Sequence, residues 1–199
     1  VSPHASLFPD AFTVNGHTNF SAGFKDFGDM TTVCAWPGDP TLAAKISQQA
    51  QAAHLPVQMV SQETLDHGAT VPLFFLTKHL PDVRILPIGY SNLSREDHVR
   101  FGTLLKETVL ESNRRTAIVA SGDMAHVPNG QLFGERIKTA LEANDLHGIM
   151  SIPEEEVSAA QECGYRSILI ALGMIQHMHT RFETYSYETP VGIGYIVGN

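Results

Sequence analysis

The feature that most restricts what this chain can fold into is the order of its periodic segments. Short β-branched or apolar runs alternate with longer amphipathic ones along most of its length. Thr31–Trp36, Pro56–Val60, Val83–Gly89 and Thr116–Ser121 read as strands, the last (Thr-Ala-Ile-Val-Ala-Ser) as the clearest buried one. Pro40–His54, Val71–His79, Ser94–Ser112, Gln131–Ala143, Pro153–Gln161 and Tyr165–His179 read as helices. Their starts have local causes. Asp39 is placed to cap the first, Ser94 and Asp97 stand in capping-box register, and Pro153 fits a first helical turn. Leu42, Ala43, Ile46 and Ala50 give the first helix an apolar stripe; Ile168, Leu169, Leu172 and Ile175 do the same for the last. Phe182–Tyr187 and Val191–Val197 flank a Thr-Pro-Val-Gly turn and predict two short closing strands. This alternation predicts an α/β fold: a single domain over residues 1–199, with a central, mostly parallel or mixed sheet flanked by helices. The chain opens on the loop Val1-Ser2-Pro3-His4, of a kind that usually ends a buried strand. The expected first strand would therefore precede residue 1.

Charge narrows the partners. Thirteen Lys and Arg against 21 Asp and Glu leave a net charge of −8, so no basic surplus exists to release counterions from a phosphate backbone. Nucleic acid is not an expected partner. Nor is a membrane, because no apolar run is long enough to span one. Two cysteines, Cys34 and Cys163, are too few for a disulfide scaffold, and no secretory segment is visible, which makes the cytoplasm the default compartment. The ten histidines are the unusual count, and they direct attention to metal ligation and proton transfer.

In a sheet of this kind function collects where strands end and loops begin. Three histidine-bearing loops fit that address: Ser2-Pro3-His4, Leu65-Asp66-His67-Gly68 and Ser121-Gly122-Asp123-Met124-Ala125-His126. In the third, Gly122 permits a tight turn, and Asp123 and His126 follow within one turn, close enough for the carboxylate to orient the ring. Each motif has a plainer alternative. Asp66-His67-Gly68 is also a turn signature, Glu162 stands in register to pair with Arg166, and Cys163 is more often a small buried hydrophobe than a reactive group. His177 and His179 point to different helix faces. No Gly-rich phosphate loop, nucleophile elbow, His-Glu-x-x-His or Cys-x-x-Cys occurs. What remains is the pattern of a mononuclear metal site assembled from distant segments.

Taken in order, the motifs resemble a known family. Ser2-Pro3-His4, Asp10-Ala11-Phe12-Thr13, the Phe20…Phe24…Phe27-Gly28 stretch, Leu65-Asp66-His67-Gly68, Ala120-Ser121-Gly122-Asp123-Met124-Ala125-His126, Glu162-Cys163-Gly164 and Tyr187-Glu188…Gly192-Ile193-Gly194-Tyr195 are similar to the class III extradiol ring-cleavage dioxygenases. This is the superfamily of the protocatechuate 4,5-dioxygenase β subunit, to which the Memo-type proteins are related. The resemblance implies a non-haem Fe(II) with His4 and Glu162 as metal ligands. It implies His126 as acid/base and His67 as a further catalytic histidine near substrate and oxygen. Substrate contacts are expected from Phe12, His17 and Asp123. The family's first ligand histidine lies on an upstream strand in a Pro-His-Pro-Pro context and has no counterpart in these residues. The implied reaction opens a catecholic ring with O₂; the implied assembly is a homo-oligomer, with a small accessory subunit in some relatives. Two rivals stand beside it: a Memo-like binding or adaptor module, motivated by Cys163 beside Glu162, and a metal-dependent hydrolase using bound water.

Overall fold

Strand β1, Phe12–Asn15, is the centre of the architecture, and all four of its residues are buried. The computed structural model describes residues 1–199, the side chain of Asn129 excepted. An antiparallel hairpin follows β1 in the chain: β2 (Asn19–Phe24) turns through a 3-10 segment, Lys25–Phe27, into β3 (Asp29–Pro37), with a register shift between Gly23 and Phe24. Helix α1 (Pro40–Ala52) starts where Asp39 accepts from the Leu42 amide and Pro40 fills the first turn. It leads to β4 (Val57–Val60), parallel to β1. Helix α2 (His67–Leu76) is capped by Asp66, whose carboxylate accepts from the Ala69 amide. β5 is only Ile88–Gly89, antiparallel to β1. The order β4-β1-β5 makes the sheet mixed.

The helical half follows. α3 (Arg95–Leu110) carries the expected capping box: Ser94 Oγ accepts from the Asp97 amide and donates to the Asp97 carboxylate. α4 (Gln131–Glu142), the short α5 (Leu146–Met150), α6 (Glu154–Ala160) and α7 (Tyr165–Ile175) complete it, and β6 (Thr184–Glu188) pairs antiparallel with β7 (Tyr195–Gly198). α3 and α7 meet at two glycines. A methyl group on Gly102 would fall on the Ile170 carbonyl, and one on Gly173 on the Val99 carbonyl. The apolar residues form three clusters. One lies between the sheet, α1, α3 and α7 around Phe12, Ile46 and Phe101; one among α4–α7 around Ile137, Tyr165 and Leu169; a smaller one is built on Phe20, Trp36 and Leu65. Among the described residues no helix is long and apolar enough to cross a membrane.

Several expected elements differ. The helix expected at Val71–His79 starts four residues earlier, at the Asp66 cap, and ends at Leu76. Val83–Gly89 contracts to β5; its earlier residues pair only through the isolated bridge of Ile85 to Gly38 and otherwise hold the fold by single backbone bonds and by the packing of Val83 and Ile85 on the Phe20–Trp36 cluster. Thr116–Ser121 is neither laddered nor buried as a strand. It runs past Val1, whose amine donates to the Val119 carbonyl and whose carbonyl accepts from the Ser121 amide, and Thr116 and Ala117 are exposed. Its apolar composition marks a strand interior, but strand geometry needs partners along its length, and it has them at one end. β1, β2 and α5 had no counterpart among the expected elements.

Candidate functional site

The site is held together by Val1–Ser2. The Ser2 amide donates to the Ile88 carbonyl beside β5, while Val1 bonds the segment that ends at Ser121. The Ser2 hydroxyl donates to the carboxylate of Asp66, the α2 cap. A side chain on Gly68 would strike Ser2 Oγ and the Pro3 ring. These bonds fix His4 against the first residue of α2, so that the rings of His4 and His67 lie 4.2 Å apart, tilted 31°. Phe27, from the β2–β3 turn, stands edge-on to His67 at 5.5 Å. Burial lowers the His4 pKa first, the neighbouring His67 lowers it further, and Asp66 and Asp123 oppose the shift. His4 is thus a neutral imidazole at neutral pH, the form that binds a metal or accepts a proton.

The second half is made by two crossing loops. Asp123 accepts at its carbonyl from the amides of Cys163 and Gly164 (3.0 and 3.1 Å), and its own amide donates to Cys163 Sγ at 3.2 Å. The His126 amide donates to the Ala160 carbonyl. The crossing requires glycine on both sides: Gly122 has φ 139°, and a Cβ there would lie 2.5 Å from Gly164 Cα. Asp123, His126 and Cys163 result as three donors whose ligating atoms all lie within 4.8 Å of one another. His126 is bonded through both nitrogens. Nδ1 faces the Gln161 carbonyl, and Nε2 lies 3.0 Å from Asp123 Oδ2. Both partners can only accept. Nδ1 therefore carries hydrogen, and Nε2 must either carry a second proton or share a cation with the carboxylate.

That constraint is a test of fit for a metal, and the donor set passes it: imidazole, carboxylate and thiol suit a borderline divalent ion such as Fe(II) or Zn(II). Burial pushes the Cys163 thiol up to about 11. It is protonated at neutral pH in this environment, and a bound cation would displace that proton. Glu162 is placed differently from its neighbour. Its carboxylate accepts from the Tyr165 amide at 2.5 Å and so caps α7, and burial raises its pKa above the usual carboxylate range.

The sequence-derived residues thus separate. His4 joins His67, and both Asp123 and His126 act on His4 electrostatically. His4 and Glu162, the expected metal pair, are not members of the three-donor group. Phe12 does not wall a pocket. It is fully buried and stacked on Phe101 at 4.3 Å, because it belongs to the inward face of the central strand. His17 stays within its own loop, its Nδ1 2.6 Å from the Asn19 carbonyl. The sequence places Asp66 in a candidate loop but assigns it no role of its own; it serves as helix cap and as Ser2 acceptor. The sequence likewise leaves Tyr195 without a role, although that ring lies within the field of Asp123. The Asp-His-Gly string was the available signal for Asp66. For Tyr195 the signal was its place after Gly194, whose backbone bonds Met124 and Ala125.

Comparison with known proteins settles the kinship. The family described as the catalytic LigB subunit of aromatic ring-opening dioxygenase matches residues 1–198. The chain belongs to that family. Membership places this LigB chain in an oxygenase-type enzyme superfamily whose members are typically metal-dependent. It is 30% identical to Protein CA_C1420 of Clostridium acetobutylicum over 214 aligned positions, covering 98% of this chain and 46% of that protein. The chain therefore spans about half the length of the curated relative it matches. The fold is also that of the crystal structure of uncharacterized protein JW3007 from Escherichia coli K12. The TM-score is 0.64 at 18% identity, covering 98% of this chain and 82% of the other.

Proposed function

We propose that this LigB-family domain is a non-haem Fe(II)-dependent extradiol dioxygenase that opens a catecholic ring with O₂. The observation that carries the reading is the meeting of two half-sites: the His4–His67 ring pair and the Asp123–His126–Cys163 donor group, with Asp123 and His126 acting on His4. Iron held by such donors supplies Lewis acidity toward the catechol oxygens and the electron transfer that lets O₂ react. The protein's own groups do the rest. Neutral His4 offers a lone pair that can accept a hydroxyl proton from the catechol and later return it, while His126, held through both nitrogens by Gln161 and Asp123, would be a donor to the ion. His67, packed on His4, fixes that ring and faces the aromatic mouth at Phe27. In this reading Cys163 takes a ligand place beside Asp123 and His126, and Glu162 positions it by anchoring the turn at α7. The cytoplasm and a homo-oligomeric assembly complete the proposal.

The test is anaerobic reconstitution with Fe(II), followed by a panel of catechols monitored for O₂ uptake and a yellow ring-opened product. Turnover with one iron per chain is expected. No turnover with any catechol, together with no stoichiometric iron, overturns it. A second reading, a Memo-like binding module, is favoured by the thiol in the donor group and the capping role of Glu162. It predicts a competent fold and a metal content indifferent to Fe(II), with no O₂ uptake.

A further inference from the structure

Phe27 belongs to none of the three apolar clusters. It is 65% exposed at the tip of the β2–β3 hairpin, and its ring contact is the edge-on one to His67. Phe27, His67 and His4 form a row of rings leading from solvent to the site. Gly28, with φ 88°, makes the left-handed turn that presents Phe27 there. The apolar surface continues on the same two elements. Phe24 stands edge-on to Phe74, Phe74 edge-on to Phe75, and Phe75 is exposed.

The carboxylates of Asp66 and Asp123 act on His4 from one side. A polar cavity of about 130 Å³ beside it is lined by Thr13, Asn15, Gln62, Thr64 and Asp66 among others. The apolar surface offered to a substituent is the one at Phe27.

We infer that the site takes catechols bearing an apolar, best an aryl, substituent, with Phe27 as the residue that positions the substituent. The inference rests on the catechol reading of the site. A polar substituent finds no partner in the Phe27 ring. An aryl group there meets the Phe27 ring, and edge-to-face aromatic contacts stabilise beyond simple burial.

The experiment compares 4-phenylcatechol with 3,4-dihydroxybenzoate by two readouts. One is binding to the metal-free protein, followed by the His4 and His67 imidazole resonances. The other is steady-state turnover after Fe(II) reconstitution. The phenyl-substituted catechol should bind about three- to tenfold tighter. Phe27→Ala should weaken it by about three- to tenfold, seen as a higher KM with kcat little changed, while Phe27→Tyr restores it and the benzoate is unaffected. An unchanged melting temperature of Phe27→Ala verifies that the fold is intact. Equal or tighter binding of the benzoate, no effect of Phe27→Ala on either readout, or no binding of either compound overturns the inference. Binding in the predicted order without any O₂ uptake sinks the dioxygenase reading and leaves the inference standing. Turnover that prefers the benzoate does the reverse.

Discussion

His126 states the chemistry of the site in one side chain. Its two nitrogens face two acceptors, the Gln161 carbonyl and the Asp123 carboxylate, so the ring is poised either as an imidazolium or as a metal ligand. Asp123→Asn removes the negative charge that favours a cation at Nε2. It should lower metal affinity by about 10- to 100-fold and turnover by about 100-fold or more, measured by metal analysis and kcat. Glu162 separates two roles at the same scale. Glu162→Ala removes the acceptor for the Tyr165 amide and should cost about 1 kcal/mol in urea unfolding, whereas Glu162→Gln retains an acceptor and should not. Loss of iron from Glu162→Gln at unchanged stability would return the carboxylate to the ligand set. Buried His98 sets a pH dependence away from the site. Its Nδ1–H donates to the Ser94 carbonyl, and burial, the largest cause, lowers its pKa below 6.5; His4 shifts the same way. The unfolded chain therefore takes up protons near 6.5 that the folded one refuses. Their contribution is fully present above that value and is lost as the pH falls below it. Glu162 has the opposite sign, because its raised pKa favours folding at low pH, and that contribution fades as pH rises above about 4.5. The melting temperature of the metal-free protein should thus fall between about pH 7 and 5.5, and His98→Gln should flatten that slope.

At the scale of elements, legibility followed the reach of the signal. α1, α3 and α4 were readable because caps and apolar stripes lie within the helix: Asp39, Ser94 with Asp97, and Phe133 with Ile137 and Leu141. Strands were readable only where composition and partners coincide, as in β3 and β4. Thr116–Ser121 shows the failure, since a β-branched run carries no information on whether a neighbour pairs with it. β1 was hidden because Phe12-Thr13-Val14-Asn15 buries polar and apolar residues alike, and its polar groups are satisfied by distant carbonyls of Ser6 and Gln62. Two close approaches were equally silent in sequence. At the α3–α7 contact, Gly102→Ala or Gly173→Ala sets a methyl against a backbone carbonyl and should destabilise by about 1–3 kcal/mol or more. Gly122→Ala adds a strained φ to a backbone clash with Gly164, and should disturb the Asp123–Cys163 bonds as well as stability. Urea midpoints at constant m-value, with metal content for Gly122→Ala, measure these effects. Wild-type midpoints in all three variants would mean that the helices and loops are not so closely apposed.

For the molecule as a whole, the motif order carried the family, and the family match over residues 1–198 agrees with it. Order alone did not say which donors converge. His4, His67 and His126 were legible because each ends a loop signature. Cys163 and Glu162 are adjacent, and only the crossing of two loops decides that the thiol turns toward Asp123 while the carboxylate turns toward α7. The donors come from segments some 40 residues apart, joined by backbone bonds between Asp123 and Cys163–Gly164. A metal bound to Asp123, His126 and Cys163 would therefore tie those two segments together in the folded state alone. Mass action then makes global stability report on the site: at a free metal concentration of about 100 times Kd the folded state gains about 2.7 kcal/mol. For a chain of this size that corresponds to a rise of about 5–10 °C in melting temperature. Anaerobic Fe(II), or Zn(II) as a redox-silent probe, should produce such a rise in the wild-type protein. Cys163→Ser and Asp123→Asn should reduce it, and His179→Ala, at an exposed residue outside the donor group, should not. A shift that survives Cys163→Ser but vanishes in Glu162→Gln would move the ion from the thiol to the carboxylate. That result would restore the two-histidine-one-carboxylate arrangement implied by the motifs.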